Sequence, residues 1–278
     1  MARAIRSRGG SKDAFWADIT PYESGSDHWI YQEGGFAIPS IYLRDHPDIY
    51  IHTTGDLPDN IEPTKIKRSA FIAAASGYYL ATMPDHGAAL MRLSYANAHA
   101  RLAEDGRRAA AMAASHPRSG DAANIVAQGL LREQRRLRSL SRFVSLDGDL
   151  HPGSETVARL SAALAETVKG LLSTLPPAPP GGALDARVPV RNPAVKGPLA
   201  PGGEWVREHA GTGFAAIAIS GVVNSDDVTY EIVNFVDGAR TVSEIRDAVS
   251  AEFEPLELKA VAEYVDLLAR AGAVSFKR

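Results

Sequence analysis

Cysteine is absent from all 278 residues, which excludes disulfides, iron–sulfur clusters, thiolate zinc sites and cysteine nucleophiles. Any metal held by this chain must therefore sit on His, Asp and Glu. Long hydrophobic runs are missing as well: no stretch approaches the roughly 18 to 20 consecutive apolar residues of a membrane span. The opening MARAIRSRGGSKD has no apolar core of a signal peptide, so the sequence reads as soluble, with no membrane partner and no compartment assigned. A surplus of one charge is lacking too. With 30 Lys and Arg against 33 Asp and Glu, the net charge of -3 recruits neither nucleic acid nor an anionic surface. Partners must be argued from sites.

What is present is a 45% hydrophobic composition, ample for one large domain or two to three small ones. Residues 1–84 are rich in aromatics, Pro, Asp and His and read as α/β. Phe36 to Leu43 (FAIPSIYL) is a short apolar run between Gly34-Gly35 and the polar RDHPD, which predicts a buried strand. The Pro- and Gly-containing stretch 44–61 predicts an ordered surface loop. Glu62 to Ala81 predicts a helix with Pro63 near its first turn and Ile66, Ala70, Ala73, Gly77 and Leu80 along one face.

Residues 85–175 are dense in Ala, Leu and Arg, and breaks at His116-Pro117 and Asp147-Gly148 predict three helices packed as a small bundle. Residues 176–215 read as a Pro/Gly-rich linker, opening with LPPAPPGG, which cannot propagate a helix. Residues 216–278 read as a winged-helix-like accessory module. Asn224 to Asp227 offer N-caps for a helix through Val236, and Thr241-Val-Ser-Glu244 is a capping box for the next. A third helix begins at Pro255, shows Leu258, Val261, Val265 and Leu268 on one face, stops at Gly272, and is followed by a terminal strand over Ala273 to Phe276. The fold class expected is mixed α/β and predominantly helical.

The chemistry-bearing residues cluster early. Ser26-Asp27-His28-Trp29 opens a helix, Ala37-Ile38-Pro39-Ser40-Ile41 forms the predicted strand, and Ile51-His52-Thr53-Thr54-Gly55-Asp56 with Asp59-Asn60-Ile61 fills the loop before the closing helix. An SDH turn, a G-x-x-IP strand and an HTT-x-D loop in this order resemble the C-terminal part of the bacterial leucyl aminopeptidase family, metallopeptidase family twenty-eight, which also includes glutaminyl cyclases. The resemblance covers roughly residues 15 to 82. It implies the last stretch of an α/β zinc-peptidase sheet, with two zinc ions activating a water that attacks a peptide bond after an N-terminal residue. It also makes His52 the last zinc ligand, places Asp27 and His28 near the cleft, and leaves Asp56 to orient the imidazole or shape the loop. Neutral imidazole suits zinc, and the end of a strand is where open α/β sheets gather their sites.

The sequence departs from that family's pattern upstream. The family's H-x-D motif, Glu-Glu pair and further Asp precede the SDH turn, whereas here only 25 residues precede Ser26, no Glu-Glu occurs, and the one H-x-D, His46-Pro47-Asp48, lies downstream. One histidine cannot retain catalytic zinc, which takes about three protein ligands. The expectation is a C-terminal portion of a longer catalytic domain, inactive by itself, its partners a peptide substrate and the N-terminal catalytic half. A non-catalytic, peptidase-derived peptide- or protein-binding module is the alternative.

Other residues read as structural. Arg132, Arg135, Arg136, Arg138 and Arg142 alternate with leucines as a solvated helix face, and His86, His99, His116, His151 and His209 share no ligand spacing. Residues 183–278 carry 10 Lys and Arg against 14 Asp and Glu, a net of -4 that opposes DNA binding. The pattern beginning TVSEI resembles small peptide-handling winged helices such as the pyrroloquinoline quinone biosynthesis chaperone family, which implies a regulatory or substrate-presenting role.

Overall fold

The computed structural model describes residues 17, 19–20, 22–44, 47–116, 120–140, 152–177, 184–196, 199, 204–210 and 218–277. These residues are predominantly helical. The order is α1 (His28–Gln32), a 3-10 turn at Pro58–Asn60, α2 (Pro63–Ala81), α3 (Met83–Ser115), α4 (Asp121–Leu140) and α5 (Pro152–Leu172). Then follow β1 (Pro189–Arg191), α6 (Glu204–Ala210), a 3-10 turn at Ala218–Gly221, α7 (Ser225–Phe235), α8 (Val242–Glu252), α9 (Leu258–Arg270) and β2 (Val274–Phe276). Among the described residues no helix is long and apolar enough to cross a membrane.

Helices α3, α4 and α5 pack together, as their apolar periodicity predicts, around Ala98, Leu102, Val126, Leu137 and Leu164, all nearly or fully buried. The break predicted at Asp147-Gly148 lies outside the described residues. Gly129 sets the approach of α4 to α3: a Cβ there would meet the Asp105 carboxylate and Leu102 Cδ2. Gly129→Ala should therefore destabilise the chain by about 1 to 3 kcal/mol, overpacking outweighing alanine's better helix propensity. Thermal unfolding checks this, and an unchanged or raised midpoint would refute it.

The C-terminal helices enclose a second core of Val228, Ile232, Val242, Ile245, Val249, Val261, Tyr264 and Leu268. Local chemistry sets their limits. The Thr241 hydroxyl accepts from Glu244 N at 3.2 Å while Glu244 Oε2 accepts from Thr241 N at 2.7 Å, the reciprocal cap expected from sequence and a contribution of about 1 kcal/mol. Gly272, at φ +80°, turns the chain out of α9 in the left-handed conformation and lets Ala273 N donate to Leu268 O at 2.9 Å. The chain then enters β2, which pairs antiparallel with β1, Arg191 opposite Val274.

Two expectations need correction. The first is the strand over Phe36 to Leu43, and with it the sheet in residues 1–84: β1 and β2 are the strands among the described residues. Phe36, Ile38, Ile41 and Leu43 are 46, 50, 66 and 43% exposed. An apolar run specifies extended backbone but not its neighbour, and a strand with no partner has no ladder to form. Ala37 at φ 52° and Pro39, which has no N–H, interrupt the run further.

The second concerns the Pro/Gly-rich stretch, which is more than a spacer. It supplies β1 and α6, and Val242 N donates to Arg187 O at 2.9 Å while Asp185 N donates to Ser243 Oγ at 2.7 Å.

The bundle and the C-terminal helices are joined by polar ties to the middle and the C-terminal end of α8. Asn124 Nδ2 donates to Asp247 O at 2.8 Å, and an Arg108 guanidinium nitrogen donates to Ala251 O at 2.7 Å. In contrast, α2 has no buried residue: the predicted apolar face, including Ile66 and Leu80, is open, as are Phe71 and Tyr78.

Candidate functional site

Asp27 and His28 sit where the SDH motif predicts, at the start of α1, but they behave differently. Asp27 is exposed and its side chain makes no cap; its carbonyl accepts from Ile30 N at 3.1 Å. His28 is only 9% exposed. Its Nε2 lies 2.8 Å from Glu23 O and, facing a carbonyl, must carry the proton. The ring stacks on Tyr42 with centroids 4.6 Å apart, and Tyr22 lies 5.9 Å away. His28 Nδ1 is buried and has no hydrogen-bond partner among the described residues. The imidazole thus ties Glu23 to Tyr42 across the turn.

His52 lies one loop further on, and its backbone is unusual. At φ 61° it is in the left-handed region, which a non-glycine residue adopts at a cost. The surroundings enforce that conformation. Asp48 Oδ1 accepts from Tyr50 N at 2.9 Å and Ile51 N at 3.1 Å, and the Thr53 hydroxyl donates to Tyr50 O at 2.6 Å. Beyond the turn Gly55 N donates to Thr53 Oγ1 at 3.1 Å and Asn60 Nδ2 donates to Gly55 O at 2.6 Å. The result is an ordered loop, as predicted, with the His52 residue exposed upon it.

Asp56 is exposed and contributes through its main chain, its N–H donating to Thr53 O at 3.1 Å. Among the described residues its carboxylate makes no hydrogen bond to the His52 ring, so its visible part is to shape the turn. His46 of the H-x-D sequence lies outside the described residues. Among the described residues no group of three or more His, Asp and Glu could hold a metal ion. His52 offers one donor, and the residues present do not by themselves fit a two-zinc centre.

Sequence reasoning missed what surrounds the SDH turn. Glu33, fully buried at the end of α1, pairs with Arg191 of β1, and Gly34 N donates to Asn234 Oδ1 of α7 at 2.9 Å. Tyr230, also of α7, stacks on Tyr22 at 4.4 Å and donates its hydroxyl to Trp29 O at 2.6 Å. The hydrogen-bonded partners lie 158 to 201 residues apart, beyond any local signal.

Asp227 and Glu231 of α7 and Glu252 of α8 form a second, acidic cluster. Burial pushes the Glu231 carboxyl up to about 8, with Glu252 and Asp227 adding repulsion and Asn234 opposing. Burial raises Glu252 as well, against the attraction of Arg132 and Arg108.

The comparisons add no relative. No family model, curated protein or solved structure matches this chain. The family likeness therefore stands on the Ser26–Trp29, Ala37–Ile41 and Ile51–Ile61 motifs.

Proposed function

We propose that residues 1–84 are the closing segment of a two-zinc aminopeptidase-type catalytic domain, with His52 as one metal ligand, and that this segment acts on peptide N-termini together with an N-terminal catalytic half. The observation that carries this reading is the His52 loop. A strained left-handed backbone is retained where the surroundings over-determine it, and such positions concentrate at functional sites. Here five hydrogen bonds involving side chains build the loop, yet the exposed imidazole makes none among the described residues.

The open apolar surface supports the same reading. Phe36, Ile38, Ile41, Ile66, Phe71 and Leu80 are each at least 46% exposed, and they fall on the run and the helix that the family resemblance assigns to a sheet and its covering helix. Strands and zinc ligands from an N-terminal half would give the run its ladder and His52 its companions. The C-terminal helices with β2 are read as a winged-helix-like accessory module.

Zinc would supply a polarised water and a Lewis acid when both ions are bound. This chain's part is to present His52 and to border the cleft with Asp27 and His28. The test is hydrolysis of an aminoacyl-nitroanilide by a protein extended upstream to carry the H-x-D and Glu-Glu elements. His52→Ala should lower kcat/KM by more than about 100-fold and reduce zinc content, since loss of a residue behind a ligand already costs about 10- to 100-fold. Unchanged turnover in that variant would refute the assignment. Absence of activity and zinc from the extended wild type would favour the peptide- or protein-binding module.

A further inference from the structure

We propose that the C-terminal helical module is an intramolecular clamp for the SDH turn, with Arg191, Asn234 and Tyr230 as its positioning residues. That the clamped turn borders a peptidase cleft rests on the function proposed above; the clamp itself rests on geometry alone.

The grip is at both ends of α1. At the N-terminal side Tyr230 donates to Trp29 O at 2.6 Å and its ring stacks on Tyr22. At the C-terminal side Asn234 accepts from Gly34 N at 2.9 Å, and Arg191 pairs with Glu33 while also donating to Val233 O at 3.4 Å. The Glu33 carboxylate further accepts from Gly35 N at 2.9 Å, which fixes the chain as it leaves the helix. A Cβ at Gly34 would overlap the Arg191 guanidinium, so any other residue here must displace that side chain from its present position.

The chemistry of the pair argues for register rather than mere adhesion. A carboxylate with no solvent exposure is strongly unfavourable unless it is paired, so Glu33 enters this position only when Arg191, itself 15% exposed, is there to meet it. Sliding the segment by one residue would bury the charge unpaired. Apolar packing alone would tolerate such a slip. The clamp is also selective: it holds residues 22–35 and leaves every residue of α2 unburied. Asp27 and the 38%-exposed Tyr42 stay open while the turn is held.

The test uses the full chain, without zinc or substrate, so the clamp and the peptidase reading can fail independently. In Arg191→Met, amide hydrogen exchange at Glu33, Phe36 and Ile38 should accelerate by about a hundredfold, as expected for an uncompensated buried charge. Exchange in α8 and α9 should stay as in the wild type. The His28 ring signals should also lose the single Nε2–H tautomer, a change that lower overall stability would not produce. Unchanged exchange over residues 26–38 would overturn the proposal. So would an equal acceleration in α9, which would make Arg191 a part of the module's own fold.

Should Arg191→Met fail to fold, Tyr230→Phe keeps the ring and removes the hydroxyl, with its bond to Trp29 and its polar contacts with Tyr22 and Asn234. About a fivefold faster exchange at the same three amides is then expected, with α9 unaffected. No change there would equally count against the clamp.

Discussion

Glu133→Ala should lower the stability of the chain by about 3 kcal/mol and its thermal midpoint by about 10 °C. Glu133 is 1% exposed within the three-helix bundle, where it receives Arg101 at 2.6 and 2.9 Å, Arg132 at 2.8 Å and Arg136 at 3.4 Å. Burial alone would raise its carboxyl, but the bonds from Arg101 and Arg132 hold it below the ordinary value. Alanine leaves three guanidinium groups facing one another. Two things limit the loss. Asp105, 2.7 Å from Arg132, remains as a counter-charge, and the three arginines are 34, 37 and 50% exposed and can draw on water. The lower end of the range for a broken buried pair is therefore expected. Urea unfolding at pH 7 measures it; a loss under about 1 kcal/mol would show the network to be worth no more than a surface pair.

The second large effect is a fall in stability as pH rises from about 4.5 to 8. Glu231 is held protonated in the folded chain, because ionising it means desolvating a charge beside Glu252 and Asp227. In the unfolded chain it ionises near 4.5. A carboxyl whose folded value is raised contributes stability that is complete below the unfolded value and is lost as pH passes through the folded one. Arg108 and Arg132, facing Glu252 from α3 and α4, moderate the repulsion without cancelling it. A change of about 2 to 4 kcal/mol across the window is expected, and Glu231→Gln should remove most of it. Denaturant titrations at pH 5 and pH 8 on both proteins decide the matter. A wild type equally stable at the two values would sink the idea.

How much could be read in advance depends on how local each signal is. The Thr241–Glu244 cap, the stop at Gly272, the start of α2 at Pro63 and the three bundle helices are written in residues three to four apart, and they appear where the sequence puts them. The run Phe36 to Leu43 carries only half of a strand's specification, since its partner is encoded elsewhere. At the candidate site the loop around His52 was legible through Pro, Gly, Asp and Thr. Its left-handed backbone was not, because no periodicity reports it. Glu33 carries no local signal of its fate beyond standing before a glycine pair. Only the return of the chain at Arg191, 158 residues later, makes it a buried anchor.

Strand β1 has its ladder partner at Val274 to Phe276, within the last five residues. During synthesis the hydrogen bonds that secure Arg191 opposite Val274 cannot form until translation has passed Phe276 and those residues have left the ribosome. The stretch bearing Asp27, His28 and Glu33, made 158 residues or more before Arg191, must therefore wait for its anchorage until β2 has emerged as well.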